Sequence, residues 1–154
     1  MCVSSWPALA GGATLPSVLD ALRGIGRALS AVAALALMCD PRDLGTAMGD
    51  ATREEEGSAP KPGARGYDPT LFLYELCPGG TGLCERIFEQ RTALLARAHK
   101  LVASCSCTSG CPACVGPVAP NGPLPTRKTV ALELFAVLFA EGGSPLLRQR
   151  ETAA

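Results

Sequence analysis

The sequence has 154 residues, the length of one domain with a modest hydrophobic core. Apolar residues make up 47% and aromatic residues 5%, and 17 glycines and 13 prolines interrupt the chain, which excludes a coiled coil or a wholly disordered protein. The 14 basic and 14 acidic side chains cancel, so the chain as a whole is neither a basic nucleic-acid arm nor an acidic tail.

No run of residues is long and apolar enough for a membrane helix. The most apolar run, residues 28–39, is shorter than the ~20 residues that a bilayer-spanning helix needs. The N-terminus also lacks the basic segment of a secretory signal. We therefore expect a cytoplasmic protein with no membrane partner, a setting in which clustered cysteines bind metal more often than they form disulfides.

The first half of the chain predicts one long helix and one loop. Residues 1–15 show no periodicity, which predicts a frayed start. Apolar residues recur with a helical period from Val18 to Leu35, after Pro16, and predict a helix over 16–38. Residues 40–66 begin with an acidic stretch and continue with prolines and glycine, a composition that predicts a solvated acidic loop.

The second half predicts a strand, two helices and a tail. Leu71–Tyr74 is a short run of strand-forming residues, and a Gly-rich turn follows it. Apolar spacing predicts helices over 82–103 and over 127–140, the second with Thr126 as its N-cap. Residues 142–154 are expected to be a flexible tail. The fold class is therefore α+β, a small single domain of about three helices with a short sheet.

The strongest chemical signal is a group of four cysteines within ten residues. Cys105, Cys107, Cys111 and Cys114 have the spacing C-x-C-x3-C-x2-C, with Gly110 and Pro112 beside the third cysteine. Four thiolates satisfy the tetrahedral preference of zinc and leave no position open for water, so the pattern predicts one structural Zn²⁺. Two disulfides or unrelated buried thiols are the alternatives, together with an iron–sulfur cluster, whose usual bacterial spacing differs.

Two further features could bind phosphate. The turn Pro78-Gly79-Gly80-Thr81-Gly82 leads from a strand into a helix and offers backbone amides, although a tight turn without a ligand is the favoured interpretation. The segment from Arg86 to Lys128, called here the basic zone, has one acidic residue. Its basic side chains are possible contacts to a phosphate backbone, or a solvated helix face: Arg86, Arg91, Arg97, Lys100, Arg127 and Lys128.

These motifs together resemble one family. The cysteine pattern, preceded by Tyr74-Glu75-x-x-Pro78-Gly79-Gly80-x-Gly82, resembles the MrfA-type zinc-binding domain, a C-terminal domain of superfamily 2 DNA helicases. The segment from Ala28 to Gly45 is similar to the helix and acidic turn of that family. The resemblance assigns residues 16–141 to this domain, with the zinc ligands in 105–114. Glu75 stands where the family usually has Asp.

The resemblance implies a binding module and not an enzyme. The sequence contains no G-x-x-x-x-G-K-[ST] motif, so we expect no ATPase activity from the chain itself. We expect a structural zinc module that supports a DNA-repair helicase, binds DNA weakly without regard to sequence, and contacts helicase motor domains. No small-molecule substrate is expected. The alternative is an interaction subunit of a DrmB-like anti-phage system, since DrmB-type proteins look similar in this region.

Overall fold

The longest element is helix α1, Leu15–Leu37, which packs against three other helices and against the sheet. The structure, a computed structural model, describes residues 2–3, 13–50, 69–118, 124–140 and 147–148. Thr14 caps α1 through a hydrogen bond from the Ser17 amide, and the helix ends where Met38 adopts a left-handed conformation. The predicted helix over 16–38 is confirmed, although Leu35 of its apolar stripe is 80% exposed.

The sheet has four antiparallel strands in the order β2-β3-β1-β4. Strands β2, Leu44–Asp50, and β3, Pro69–Glu75, pair along their whole length. Strands β1, Cys2–Val3, and β4, Leu147–Arg148, have two residues each. These two short strands lie in the segments predicted to be a frayed start and a flexible tail, and the other residues of 1–12 and 142–154 lie outside the described part of the chain.

Strand β2 corrects the prediction of a loop over 40–66. Residues 41–43 form a 3₁₀ turn and residues 44–50 form the edge strand beside β3, while 51–66 lie outside the described residues. Two glycines make the pairing possible, because a Cβ on Gly45 would lie 2.5 Å from Tyr74 Cζ and one on Gly49 2.7 Å from Phe72 Cε2. Strand formation here depends on these cross-strand rings, which a local composition does not reveal.

The predicted helix over 82–103 is two helices, so the fold has four helices in the described residues instead of about three. Helix α2 is Leu83–Glu89 and helix α3 is Arg91–Ser104, with the break at Gln90. The Phe88 carbonyl at the end of α2 accepts a hydrogen bond of 2.9 Å from the Arg91 guanidinium, which lies over the Phe88 ring. A side chain therefore satisfies a carbonyl that continuous helix would have bonded.

Helix α4, Arg127–Ala140, matches its prediction. The Thr126 hydroxyl accepts a hydrogen bond from the Thr129 amide at 3.3 Å, as an N-cap does. The inner faces of α1, α3 and α4 meet β3 in one core, whose largest fully buried side chains include Leu22, Ile25, Leu29, Leu94, Leu134 and Phe135. The fold is the expected α+β class.

None of the helices in the described ranges has the length and hydropathy that a membrane span requires.

Candidate metal centre

The four predicted cysteine ligands meet at one point, in the turn that follows α3. Their sulfur atoms all lie within 4.8 Å of one another. Cys105 and Cys111 are 3.5 Å apart, and Cys107 and Cys114 are 3.4 Å apart. A tetrahedron with Zn–S distances of about 2.3 Å has sulfurs about 3.8 Å apart, so the cluster fits one zinc ion.

The same distances exclude disulfides. A disulfide bond is about 2.05 Å long, far shorter than any sulfur–sulfur contact in this cluster. The four cysteines of the cluster are free, as are Cys39, Cys77 and Cys84. Because the protein supplies all four ligands, a bound Zn²⁺ would have a structural role and would cross-link the turn.

The backbone of residues 105–117, called here the cysteine knuckle, follows a path that requires glycine at two positions. Gly110 has a φ of +133°, and a Cβ there would lie 2.8 Å from Val118 Cγ2. Gly116 has a φ of +92° and donates a hydrogen bond of 2.9 Å from its amide to the Cys111 carbonyl. These contacts close the loop tightly enough to bring its first and last sulfurs together.

The knuckle gives its thiols unequal acidity. A hydrogen bond from the Cys107 backbone lowers the pKa of Cys105 to about 7. Burial, together with the neighbouring Cys114 thiol, raises the pKa of Cys107 to about 12. A divalent cation among the sulfurs favours the thiolate form of all four, which is why such sites release protons when they bind metal.

Lys128, in the first turn of α4, binds the backbone of the cysteine knuckle. Its side chain is 8% exposed, and Nζ donates hydrogen bonds of 2.5 Å to the Cys105 carbonyl and 2.8 Å to the Cys107 carbonyl. The Lys128 amide also donates to the Ser109 carbonyl. Four thiolates with one Zn²⁺ carry a net negative charge, so this ammonium group complements the site that it orients. The sequence predicted Lys128 only as a possible DNA contact.

Arg127 is likewise bound within the molecule. Its Nε and Nη2 atoms donate to the two carboxylate oxygens of Asp20 on α1, at 2.7 and 2.6 Å. Nη1 donates to the carbonyls of Val115 and Pro117, at the end of the knuckle. The first turn of α4 thus connects α1 to the knuckle, through one bidentate ion pair and the bonds of Lys128.

The other side chains of the basic zone differ in their exposure. Arg86, Arg97 and Lys100 are exposed on α2 and α3, whereas Arg91 is half-buried against Phe88. A role of these residues in DNA binding stays a prediction.

The Gly-rich turn is occupied by the protein's own carboxylate. Glu75 accepts hydrogen bonds from the amides of Thr81, Leu83 and Cys84, at 2.5, 2.8 and 3.2 Å. Three glycines of the turn have positive φ, namely Gly79, Gly80 and Gly82, and Pro78 is exposed. Because Glu75 already satisfies the first amides of α2, the structure favours the tight turn without a ligand over the phosphate site. Tyr74 packs on Gly45 instead of facing the turn.

His99 lies outside the metal cluster. Its ring makes edge contacts with Phe135 and Phe139, at centroid distances of 5.5 and 5.6 Å. Cys77 contacts the Asp43 carboxylate, and burial together with that carboxylate raises the pKa of the Cys77 thiol. Within the described ranges, the knuckle is the one group of three or more side chains arranged to bind a metal ion.

A small α+β domain with a closed four-cysteine centre is typical of structural zinc-binding modules, and this chain has both features. The family model described as the MrfA Zn-binding domain matches residues 25–115, more than half of the chain and including all four ligands. The chain therefore belongs to the MrfA Zn-binding domain family.

Two relatives in sequence each match part of this chain. The chain is 34% identical over 95 residues to the "Uncharacterized ATP-dependent helicase YprA" of Bacillus subtilis (strain 168), a match that covers 62% of this chain and 11% of the helicase. It is 36% identical over 45 residues to the "Uncharacterized protein MJ1572.1" of Methanocaldococcus jannaschii, covering 29% of this chain and 40% of that protein. The chain thus spans well under two thirds of either relative.

Two solved structures share the fold. One is the DUF1998 helicase MrfA bound to DNA, with a TM-score of 0.62 and 25% identity over 82% of this chain and 15% of that one. The other is MrfA bound to DNA and AMPPNP, with a TM-score of 0.55 and 28% identity over 75% of this chain and 14% of that one. The fold described here therefore corresponds to about one seventh of the MrfA chain in those structures.

Proposed function

We propose that this chain is the structural zinc-binding module of a superfamily 2 DNA helicase of the DNA-repair type, acting in the cytoplasm and supporting DNA binding. The observation that carries the proposal is the closed four-cysteine centre, embedded in a domain that matches part of a helicase seen with DNA. The module has no catalytic role of its own, because its one metal centre offers no open coordination position.

The architecture supports a mechanical role for zinc. The knuckle is bonded on one side to Lys128 of α4 and lies against Gly24 of α1, where a Cβ would be only 2.8 Å from Val115 Cβ. A zinc ion would therefore stiffen the junction of two helices, and the surfaces beside that junction would keep one shape while motor domains move. Helicase motor domains are the protein partner that this role requires.

The test is DNA binding by the zinc-loaded chain, measured by fluorescence anisotropy with labelled single strands and duplexes of two unrelated sequences. We expect weak binding of both sequences, with an affinity that falls as salt rises, by a log–log slope of about −0.7 to −0.9 per phosphate contact. The paired Cys105→Ser and Cys111→Ser variant, which cannot hold zinc, is expected to bind more weakly. No binding of any DNA at low salt by the zinc-loaded chain would contradict a DNA-supporting role.

A further inference from the structure

A groove of about 850 Å³ runs beside the cysteine knuckle, and two arginines of α1 that lie outside the basic zone line it. Residues of α1 line it, together with residues of β2, the edge strand of the sheet. The end of the knuckle, Pro112–Pro117, closes one side. We call this feature the arginine groove.

The α1 wall of the arginine groove carries two arginines that no acidic side chain of the described residues neutralises. Arg23 and Arg27 line it from α1, and Arg127 lines it from α4. Both α1 arginines are exposed, and neither forms an ion pair within the described part of the chain, in contrast to Arg127 with Asp20. No Asp or Glu is among the lining residues. A cleft with charge of one sign concentrates ligands of the opposite sign.

The spacing of these arginines suits a linear polyanion. Arg23 and Arg27 are one turn apart on the same face of α1, about 6 Å along the helix axis. Gly116 brings the third arginine close, because a Cβ there would lie 3.4 Å from Arg27 Cδ and 3.1 Å from Arg127 Nη1. A strand running along α1 would meet Arg23 and Arg27 with successive phosphates, while Arg127 stays paired with Asp20 at the end of the groove.

The rest of the groove is mainly apolar, with the hydroxyls of Ser30 and Thr46 as further polar groups. Ala31 of α1, Ala47 and Met48 of β2, and Leu71 of β3 line it, and no aromatic ring does. Such a surface contacts the flat faces of bases or sugars but gives none of the stacking by which aromatic side chains hold particular bases. The groove would therefore accept any sequence.

We propose that the arginine groove binds one strand of DNA through its phosphates, and that it contributes more to DNA affinity than the exposed face of α3. The proposal rests on the proposed function and specifies its contact surface. It also gives zinc a place in recognition, since the knuckle that zinc would cross-link forms the end of the groove.

Two variants with equal loss of charge test the proposal. One is Arg23→Gln with Arg27→Gln in the groove; the other is Arg97→Gln with Lys100→Gln on α3, where both side chains are exposed. Each removes two charges from one helix and keeps good helix formers. Anisotropy with a fluorescein-labelled single strand at several salt concentrations compares them, with zinc content and melting temperature measured on each.

We expect the groove variant to weaken binding about tenfold and to reduce the salt slope by about 1.4, the value for two lost contacts to a single strand. The α3 variant should weaken binding clearly less. Equal effects of the two variants, or a larger effect of the α3 variant, would overturn the groove assignment and leave the proposed function intact. Failure of the unaltered chain to bind any DNA would remove both proposals.

A second arm separates DNA from an acidic protein segment. A labelled poly-glutamate peptide is titrated against the unaltered chain and the groove variant under the same conditions. Weaker binding of the peptide than of DNA supports the proposal. Tighter binding of the peptide, lost in the groove variant, would assign the groove to a protein partner and overturn the assignment to DNA.

Discussion

Four thiols and one ammonium group account for the chemistry of the cysteine knuckle at the scale of single residues. The cysteines offer a closed ligand set, while Lys128 binds the carbonyls of Cys105 and Cys107. The thiols would bind the ion directly, and the lysine would act only through the backbone that carries them. Substitution of a cysteine should therefore abolish zinc binding, whereas substitution of the lysine should only weaken it.

Replacing any one ligand should release the metal. Cys105→Ser, Cys107→Ser, Cys111→Ser or Cys114→Ser leaves three thiolates for a structural site that needs four, so we expect less than one tenth of the zinc to remain after dialysis, by analogy with the strong dependence of such sites on every ligand. Elemental analysis of the purified chain measures it. Cys39→Ser, Cys77→Ser and Cys84→Ser are the controls and should keep about one zinc per chain. Stoichiometric iron in place of zinc would indicate an iron–sulfur cluster and contradict the zinc assignment.

Lys128→Met should weaken zinc binding without removing a ligand. The variant keeps the length of the side chain but loses the charge and two hydrogen bonds, and loss of such an outer contact typically lowers metal affinity 10–100-fold, roughly the effect expected here. Competition with a chromophoric chelator measures the affinity. Lys100→Met removes an exposed lysine and should leave the zinc affinity unchanged. If both variants bind zinc equally well, Lys128 serves packing alone.

Helix α2 depends on a capping carboxylate from outside the helix. It has seven residues, and its N-cap, Gly82, has no side chain with which to bond the first amides. Glu75 at the end of β3 supplies the acceptor oxygens instead. This contact also orients the Gly-rich turn between the strand and the helix, so a strand residue stabilises a helix that would not form alone.

Glu75→Ala should therefore destabilise the fold. Loss of the cap leaves three amides without their acceptor, and we expect the free energy of unfolding to fall by about 1–2 kcal/mol. Urea denaturation followed by circular dichroism measures the change. Glu89→Ala, at the exposed end of α2, should change stability by less than about 0.5 kcal/mol. Equal free energies of unfolding for Glu75→Ala and Glu89→Ala would show that the Glu75 cap does not stabilise the fold.

Helix α1 and the knuckle approach each other through Gly24. A Cβ at this position would lie 2.8 Å from Val115 Cβ and 3.0 Å from the Val115 carbonyl oxygen, so the neighbour cannot move aside without moving the backbone. The junction of α1 with the zinc-binding loop thus has room for no side chain. This contact is the reason that a glycine occupies the buried face of a long helix.

Gly24→Ala tests this junction. Alanine improves helix propensity by about 0.8–1.0 kcal/mol, but overpacking of a tight contact costs about 1–3 kcal/mol, so we expect a net loss of about 1 kcal/mol. Thermal and urea melts of the zinc-loaded chain measure it. Ala31→Gly, which lowers propensity at an exposed site of the same helix, calibrates the propensity effect. A more stable Gly24→Ala variant would show that the junction can relax.

At the scale of the whole molecule, the described residues are arranged around one helix. Every other described helix packs on α1, the sheet covers another of its sides, and the metal centre lies at the junction of α1, α3 and α4. The described residues offer one metal centre, with no open position for a reacting water. Activity of the assembly would have to come from the motor domains that the proposed function requires.

The purified chain should accordingly hydrolyse no ATP, with or without DNA. No lysine in the sequence follows a glycine, so the phosphate-binding motif of nucleotide hydrolases is missing from these 154 residues. A coupled phosphate-release assay across gel-filtration fractions measures the activity. Turnover that co-elutes with the chain, at a constant ratio to protein, would contradict the assignment of a supporting module.

Local patterns in the sequence determined the helices, the ligand set and the family resemblance. Local features can be recognised from the sequence without the tertiary structure, because each involves only a short stretch of chain. They are the apolar period of α1, the Thr126 cap of α4 and the spacing of the four cysteines. The break between α2 and α3 at Gln90 could not be predicted from the sequence, because it depends on the hydrogen bond from the Arg91 side chain to the Phe88 carbonyl.

The tertiary structure alone decided what the charged residues do. Asp20 and Arg127 are 107 positions apart in sequence, yet they form an ion pair, so the arginine that the sequence predicted as a DNA contact is bound within the protein. Lys128 is bound in the same way, through the carbonyls of the knuckle. The same folding makes β2 from a segment that resembles a loop and places Arg23 and Arg27 over an open groove. Composition reports charge, but burial and pairing between distant segments determine which charges remain available to a partner.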